Sequence, residues 1–158
     1  MFLVFCQGAR SSDFSIIYTD GSCDNSNSKQ GSCAFVVLKD NQLVYENVES
    51  HSNTTNNRME YQAAINSLKW LSDNYGSCEY ILYSDSDLLV NTANKWSFSW
   101  KKRGWKRAGG EIKNLDLVQQ IHSLYLFHKG SFKWVKGHNG NKWNQYCDEL
   151  CSKSDLAI

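Results

Sequence analysis

The stretch that decides the fold is FSIIYTDGSCDNSNSKQGSCAFVVLKDNQLVYENVES, residues 14–50. Asp20-Gly21 is a turn signal and is expected to end the first β-rich run. Asp40-Asn41 is expected to turn the chain between the second run and a third, whose residues largely alternate. Short turns between consecutive strands predict an antiparallel meander. The three predicted strands are residues 14–19, 33–39 and 42–50.

After the meander, helical and β-rich segments alternate. An apolar stripe with helical spacing predicts a helix that Asn57 caps and Gly76 ends. Its members are Tyr61, Ala64, Ile65, Leu68 and Leu71. The order βββ-α-β-α-α-β-α predicts an α/β protein, a mixed sheet with helices packed on it. The remaining predictions are a strand over 80–84 buried on both faces, helices over 86–95, 111–127 and 141–154, and a strand over 131–136.

Length and composition favour one folded domain. The chain has 158 residues and is 41% hydrophobic, which excludes a disordered class. We expect a short appendage over 1–13 and a single domain over 14–158. The net charge of +1 gives no global attraction to nucleic acid, so such binding would need a local basic patch. Without a signal-like or membrane-length apolar run, we expect a soluble, cytoplasmic protein without membrane contact.

Six cysteines occur without CxxC spacing. His138, Cys147 and Cys151 follow the pattern H-x8-C-x3-C, which matches no familiar zinc template. Reduced and mostly buried thiols are the better interpretation.

Four carboxylates stand in distinctive phrases: Asp20 in YTDGS, Glu60 in NNRMEY, Asp85 in YSDSD and Asp148 in YCDEL. If folding brings them together, divalent cations must offset their repulsion, which indicates phosphoryl-transfer chemistry. Each also has a structural alternative. These are a turn residue at Asp20, a capping box from Asn57 to Glu60, a helix cap at Asp85 and a solvated face residue at Asp148.

A basic aromatic segment occupies residues 95–107, KWSFSWKKRGWKR, and contains six Lys or Arg and no acid. Such a segment indicates a local nucleic-acid footprint. The alternative is an amphipathic helix that turns Trp96 and Trp100 toward the core.

The phrases TDGS, NNRMEYQAA, SDSD, WKKRGWK, KNLDL, WVKGHNG and CDEL occur in the order seen in type 1 ribonuclease H. The chain resembles that family from about Phe14 to Ser154. The resemblance implies a five-stranded mixed sheet, an antiparallel meander followed by parallel strands, flanked by helices. It also implies a Mg²⁺-dependent endonuclease that cuts the RNA strand of RNA–DNA hybrids and leaves 5′-phosphate and 3′-hydroxyl ends. Mn²⁺ is expected to substitute.

The family pattern assigns a role to each matching position. Asp20, Glu60, Asp85 and Asp148 would hold two metal ions, and His138, in WVKGHNG, would assist proton transfer or product release. Asn56, Asn57 and the backbone of Gly21 and Ser22 would read RNA 2′-hydroxyls. Thr55 would bind a DNA phosphate, unless it only caps the helix. As in the bacterial basic protrusion, Trp96 would lie beneath the DNA backbone, and the phosphate ligands would be Lys101, Lys102, Arg103, Lys106 and Arg107.

Three departures from the family pattern stand near the site. The loop after Asp20 is DNSNSKQGS rather than rich in proline and glycine, Asp87 replaces a common glutamine, and Leu88 replaces a common aromatic residue.

We expect a monomer without an obligate protein partner. The alternatives are a catalytically silent hybrid-binding module and a DNA-directed nuclease or integrase of the same fold.

Overall fold

The computed structural model describes residues 14–24, 26, 29–137 and 140–157. Its centre is a five-stranded mixed sheet in the order β3-β2-β1-β4-β5. β1, β2 and β3 pair antiparallel, whereas β4 runs parallel to both β1 and β5. The predicted fold class is therefore confirmed. The strands are β1 Phe14–Cys23, β2 Gly31–Lys39, β3 Gln42–His51, β4 Glu79–Ser84 and β5 Lys129–Trp134.

The predicted end of β1 at Asp20-Gly21 is wrong. The strand continues to Cys23 because β2 supplies partners along its whole length, pairing Asp20 with Ala34 and Gly21 with Cys33. A neighbouring strand thus overrides a local turn preference. Asp20 consequently lies within a strand, and the residue is only 6% exposed.

The turn between β2 and β3 is predicted correctly. Asp40 and Asn41 have φ values of 52° and 62°. Positive φ at both central residues is what a two-residue hairpin turn of type I′ requires, and Asn and Asp tolerate it better than most residues.

Helix α1, Asn56–Tyr75, packs its predicted apolar stripe into the core, and all five stripe residues are buried. Gly76 ends the helix as predicted. The predicted cap is wrong by two positions, because the Thr55 hydroxyl accepts the N–H of Arg58 and Asn57 lies inside the helix. The alternative role of Thr55 as a helix cap is therefore observed.

Two strand predictions need correction. β4 is buried on one face only: Tyr80, Leu82 and Ser84 are buried, whereas the residues between them are partly exposed. β5 begins and ends two residues earlier than predicted, because its register against β4 pairs Glu79 with Lys129.

Each of the four predicted helices has a counterpart, but the second is divided into two α-helices and the predicted ends differ from those observed. The second predicted helix begins at Asp87 as α2, Asp87–Asn91, and continues through a π-helical turn, Thr92–Trp96, into α3, Ser97–Lys102. The next, α4, begins at Leu115 rather than near residue 111. The last is α5, Lys142–Ala157.

Helix α5 packs on β1 through two small thiols. Sγ of Cys147 lies 3.4 Å from the Tyr18 carbonyl oxygen, and Sγ of Cys151 lies 3.7 Å from that of Asp20. Cys33, Cys78, Cys147 and Cys151 are all buried thiols, as expected, and Cys6 lies outside the described residues. Within the described ranges, no helix is both long and apolar enough to cross a membrane.

Gly21 allows β1 to cross the start of α1. A Cβ atom at this position would lie 2.4 Å from the carbonyl carbon of Met59 and 2.5 Å from the amide nitrogen of Glu60. Because both are backbone atoms, a side chain could not be accommodated without moving the helix. Glycine at position 21 therefore sets the spacing between Asp20 and Glu60.

We predict that Gly21→Ala lowers the free energy of unfolding by about 2 kcal/mol or more, because the methyl group overpacks two backbones. Urea unfolding followed by circular dichroism measures the change. Ser22→Ala, at the next and partly exposed position, is the matched control and should change the free energy by about 0.5 kcal/mol or less. Equal losses in the two variants would contradict the close approach.

Candidate active site

The four predicted carboxylates converge on one open cavity of about 390 Å³. Folding therefore unites side chains from distant parts of the sequence. The cavity is lined by Asp20, Gly21, Ser22, Asn56, Asn57, Glu60, Asp85, Ser86 and Asp148.

Each carboxylate comes from a different element. Asp20 lies in the central strand β1, and Asp85 directly follows the parallel neighbour β4. Glu60 lies near the start of α1, which Gly21 allows to approach β1. Asp148 lies on α5, one residue after the thiol that packs against β1.

Three of the carboxylates form a tight cluster. One oxygen each of Asp20, Glu60 and Asp85 lies within 4.8 Å of the others. Oε1 of Glu60 is buried and has no hydrogen-bond partner among the described residues. Such an atom is costly to bury unless it meets a cation or a donor. The chemistry of the cluster therefore fits a hard divalent cation, which prefers oxygen ligands.

Burial and mutual repulsion disfavour the charged forms of this cluster. Burial, followed by the charges of Asp85 and Asp148, raises the pKa of Asp20 to about 8, against an ordinary value of 3.8. Burial and the charges of Asp20 and Asp85 also raise the pKa of Glu60 well above its ordinary value. The backbone N–H of Gly21 partly opposes both shifts.

The structure rules out the purely structural roles considered for Glu60, Asp85 and Asp148. Thr55, not Asn57, caps α1, so Glu60 is not part of the proposed capping box. Ser86 caps α2 by accepting the N–H of Leu89, so Asp85 is not the cap. Asp148 is partly buried and lines the cavity instead of lying on a fully solvated face.

Three residues near the carboxylates were not predicted. Ser86 lines the cavity, and Nδ2 of Asn144 lies 3.5 Å from Oδ2 of Asp85. A Cβ at Gly137 would lie 2.8 Å from the same oxygen, so glycine there leaves room for the carboxylate. The phrases SDSD and WVKGHNG contained Ser86 and Gly137, whereas nothing in the sequence pointed to Asn144.

A second cavity of about 280 Å³ adjoins the first, since Asn57 lines both. Its wall is largely aromatic and apolar, with a basic margin. Trp96 is 39% exposed, and its ring lies 6.1 Å from that of Trp100. Leu88, the departure from an aromatic residue, also lines it. The lining residues are Asn57, Tyr61, Leu88, Trp96, Trp100, Arg107, Ile112, Lys113 and Asn114.

The basic segment divides between two surfaces. Arg107 lines the second cavity, whereas Lys101 and Lys102 line a separate depression with Phe98, His122 and Leu126. Arg103 and Lys106 are exposed and line neither. The alternative of an amphipathic helix is therefore half correct, since Trp100 packs against the core while Trp96 is exposed.

Arg58 connects two of the quoted phrases, NNRME and KNLDL. Its guanidinium donates to both carboxylate oxygens of Asp116, at 3.2 and 2.9 Å, and to Oδ1 of Asn114 at 3.1 Å. These bonds lower the pKa of Asp116. The start of α1, which carries Asn56 and Asn57, is thereby held against the start of α4.

The other predicted residues lie at the edges of the site or outside the described ranges. Asp87 is exposed and is not among the residues that line either cavity. Thr55 is exposed at the helix cap. His138 lies outside the described residues, as do residues 1–13 and much of the polar loop after Asp24.

A mixed five-stranded sheet whose two central strands meet a helix at a cluster of three carboxylates defines a protein of the ribonuclease H-like fold. The sequence model of the RNase H family matches residues 12–155. Ribonuclease H of Francisella philomiragia is 41% identical over 140 residues, which cover 88% of this chain and 89% of the relative. The Francisella tularensis subsp. novicida ribonuclease H is 42% identical over 140 residues, with the same coverage of both chains.

Solved structures agree with this assignment. LC9-RNase H1, described as a type 1 RNase H with the type 2 active-site motif, has a TM-score of 0.81 and 26% identity, covering 91% of this chain and 72% of the other. RNase H1 from Halobacterium salinarum, with a TM-score of 0.69, 21% identity and coverage of 92% and 99%, supports the fold alone. The chain belongs to the ribonuclease H family of enzymes, and the resemblance drawn from its motifs is confirmed.

We predict that Asp20→Asn stabilises the metal-free protein at pH 8. A raised folded-state pKa means that stability is lost as pH rises from about 4 to about 8, because the folded state binds the proton more tightly than the unfolded chain. In chelator at pH 8, the variant should melt at least about 2 °C above wild type, corresponding to about 1 kcal/mol.

The difference in melting temperature between Asp20→Asn and wild type should shrink at pH 4. It should also shrink on addition of Mg²⁺, because a bound cation stabilises the wild-type cluster. Asp73→Asn, at an exposed acid on α1, is the control and should leave the melting temperature unchanged. Equal melting temperatures for wild type and Asp20→Asn in chelator at pH 8 would contradict the repulsion.

Proposed function

We propose that this protein is an endonuclease that hydrolyses the RNA strand of RNA–DNA hybrids with the help of divalent cations. The observation that carries the proposal is the convergence of Asp20, Glu60 and Asp85 within 4.8 Å in an open cavity. Family membership supports the substrate, since ribonucleases H are the enzymes that this chain resembles over most of its length.

The carboxylates are proposed as ligands for two Mg²⁺ ions, which Mn²⁺ would replace. When bound, such ions activate water and stabilise the charge that develops on the phosphate. Asp20, Glu60 and Asp85 would hold them from the buried side, where Oε1 of Glu60 lacks another partner among the described residues. Asp148 would complete the set from α5. The expected products have 5′-phosphate and 3′-hydroxyl ends.

The chain's own groups also orient the site. Asn144 donates to Asp85 at the long distance of 3.5 Å, and Trp134 donates to the Asp85 backbone carbonyl at 3.2 Å. These contacts, with Gly137 packed beside the carboxylate, fix the position from which Asp85 faces the cavity. His138, one residue further, is proposed to move protons or assist product release.

Selection of RNA is proposed to rest on the other wall of the carboxylate cavity. Asn56, Asn57, Gly21 and Ser22 line it, and the side chains of Asn56, Asn57 and Ser22 can donate hydrogen bonds to a 2′-hydroxyl. Arg58 supports this wall by joining α1 to α4 through Asp116. DNA lacks the hydroxyl, so these donors would have fewer partners on a DNA strand.

The DNA strand is proposed to follow the second cavity and the basic segment. The exposed ring of Trp96 and the cationic side chains of Arg107 and Lys113 lie along that cavity. Lys101, Lys102, Arg103 and Lys106 would contact phosphates further along, and Thr55 would contribute a hydroxyl at the start of α1. We propose that residues 14–158 act as one domain and as a monomer, without an obligate partner.

Cleavage assays on matched substrates test the function. With Mg²⁺, the protein should cut the RNA of a labelled hybrid and leave duplex DNA, duplex RNA and single-stranded RNA intact. Asp20→Asn and Asp85→Asn should each lower the rate by at least about a hundredfold, the order expected for losing one charge-stabilising group. Asp87→Asn, two residues from Asp85 and exposed, is the matched control and should stay near wild type.

Each alternative function has its own outcome in this assay. Hybrid binding without cleavage in Mg²⁺ or Mn²⁺ would establish a silent binding module instead. Preferential cleavage of duplex DNA would establish a DNA-directed nuclease or integrase.

The double variant Lys101→Ala with Lys102→Ala tests the basic segment. Both side chains are exposed, so the fold should persist, while the loss of phosphate contacts raises KM more than it lowers kcat. The slope of log affinity against log salt should become shallower by up to about 1.5. Lys69→Ala, an exposed lysine on α1, serves as control, and an unchanged salt slope in the double variant would remove these lysines from the interface.

A further inference from the structure

A second cluster of metal-ligating side chains lies on β2 and β3 and shares no residue with the carboxylate cavity. It consists of Cys33, Glu49 and His51, whose ligand atoms all lie within 4.8 Å of one another. The sequence did not point to it, because the three residues match no familiar metal-binding spacing and belong to none of the phrases shared with the ribonuclease H family.

The pairing of the strands explains why the three side chains meet. Cys33 on β2 is the direct partner of Glu49 on β3, so the two project from the same face. His51 follows Glu49 by two positions and therefore shares that face. Cys33 packs with Met59 and Ala63 of α1, which identifies it as the helix-covered face.

The distances are close to those of a tetrahedral site. Nε2 of His51 lies 3.0 Å from Oε2 of Glu49, and Sγ of Cys33 lies 3.9 Å from the same oxygen. Zinc bonds of about 2.0–2.3 Å at tetrahedral angles place neighbouring ligand atoms about 3.3–3.6 Å apart. The two observed distances bracket that value, so small side-chain movements would close the cluster around one ion.

A supporting shell holds the carboxylate of Glu49 in place. Nδ2 of Asn66 donates to Oε2 of Glu49 at 2.9 Å, and the same nitrogen lies 3.8 Å from Sγ of Cys33. Gln62 in turn donates to Oδ1 of Asn66 at 2.9 Å. Such outer contacts are typical of metal sites, where they orient the ligands.

Burial decreases from the thiol of Cys33 to the side chains of His51 and Glu49. Cys33 is 1% exposed, whereas the side chains of His51 and Glu49 are 36% and 43% exposed. A cation can therefore enter from solvent and keep a fourth position for water. Burial and the adjacent Glu49 raise the pKa of the Cys33 thiol to about 12, and a bound cation would displace this proton and offset the repulsion.

We propose that Cys33, Glu49 and His51 form a binding site for Zn²⁺ or a similar transition-metal cation. The mixed sulfur, nitrogen and oxygen donors favour zinc over magnesium, which prefers oxygen alone. The site goes beyond the proposed nuclease function and is independent of it. The simpler alternative is a metal-free contact in which His51 and the Cys33 thiol both bond to the carboxylate of Glu49.

Bound metal would join β2 to β3 just before the segment that leads into α1. Since the three ligands are brought together only by folding, the cation should raise the melting temperature of the folded protein. Any effect on the nuclease site would be indirect, through the start of α1.

Cobalt titration of the full chain tests the site. The protein is stripped with chelator, kept reduced with a phosphine and supplied with excess Mg²⁺ to occupy the carboxylates. We expect one equivalent of Co²⁺ to give a thiolate-to-cobalt charge-transfer band in the near ultraviolet, and Zn²⁺ to displace it. Cys33→Ser should abolish the band, and His51→Gln and Glu49→Gln should each weaken affinity at least tenfold.

Cys23→Ser, at a partly buried thiol on β1 outside the cluster, is the matched control and should keep both band and affinity. Absence of the band in wild type, or wild-type affinity in His51→Gln and Glu49→Gln, would overturn the proposal. If Cys33→Ser fails to fold by circular dichroism, the two half-exposed variants decide. Hybrid cleavage is not part of this readout, so its failure leaves the metal test intact.

Discussion

Electrostatic repulsion among Asp20, Glu60 and Asp85 is the constraint on which the rest of this structure depends. Three carboxylates within 4.8 Å, two of them largely buried, are unfavourable when all are charged. The fold nevertheless holds them there, through the crossing of β1 and α1 at Gly21 and the packing of α5 on β1. The metal-free protein is therefore destabilised at the place where it could bind cations. Functional sites are commonly strained or destabilised in this way.

Much of the fold could be predicted because local patterns and tertiary packing agree. The stripe from Tyr61 to Leu71 is buried as its spacing predicts, and Asp40-Asn41 makes the expected turn. The errors arise where a neighbouring element, rather than the local sequence, determines the structure. β2 extends β1 beyond Asp20-Gly21, and the elements packed over the sheet leave one face of β4 partly exposed. No single-segment pattern contains that information.

The four acidic residues of the candidate site could be predicted from the sequence, whereas several of the residues around them could not. Motif order identified Asp20, Glu60, Asp85 and Asp148, all of which line one cavity. Asn144 was missed because its contact with Asp85 depends on where α5 lies relative to the end of β4, and Ser86 because only the folded chain places it in the wall of the cavity. The basic segment looked continuous in sequence, whereas the helix that carries Lys101 and Lys102 directs them to a different surface from that of Arg107.

The two clusters differ in the ion that they suit. The carboxylate cavity offers hard oxygen donors and is open to solvent. The cluster on β2 and β3 offers a buried thiol, an imidazole and one carboxylate, a softer donor set. Under the two proposals, ligand chemistry alone would separate a catalytic cation from a structural one within this chain.

Anomalous diffraction from crystals grown with Mn²⁺ and an uncleaved hybrid tests whether the clustered carboxylates bind cations together with the substrate. Asp148→Asn would slow cleavage while leaving the three clustered carboxylates intact. We expect anomalous peaks in contact with Asp20, Glu60 and Asp85 and with a phosphate of the RNA strand. A hybrid bound elsewhere, or a carboxylate cavity without anomalous signal, would contradict it.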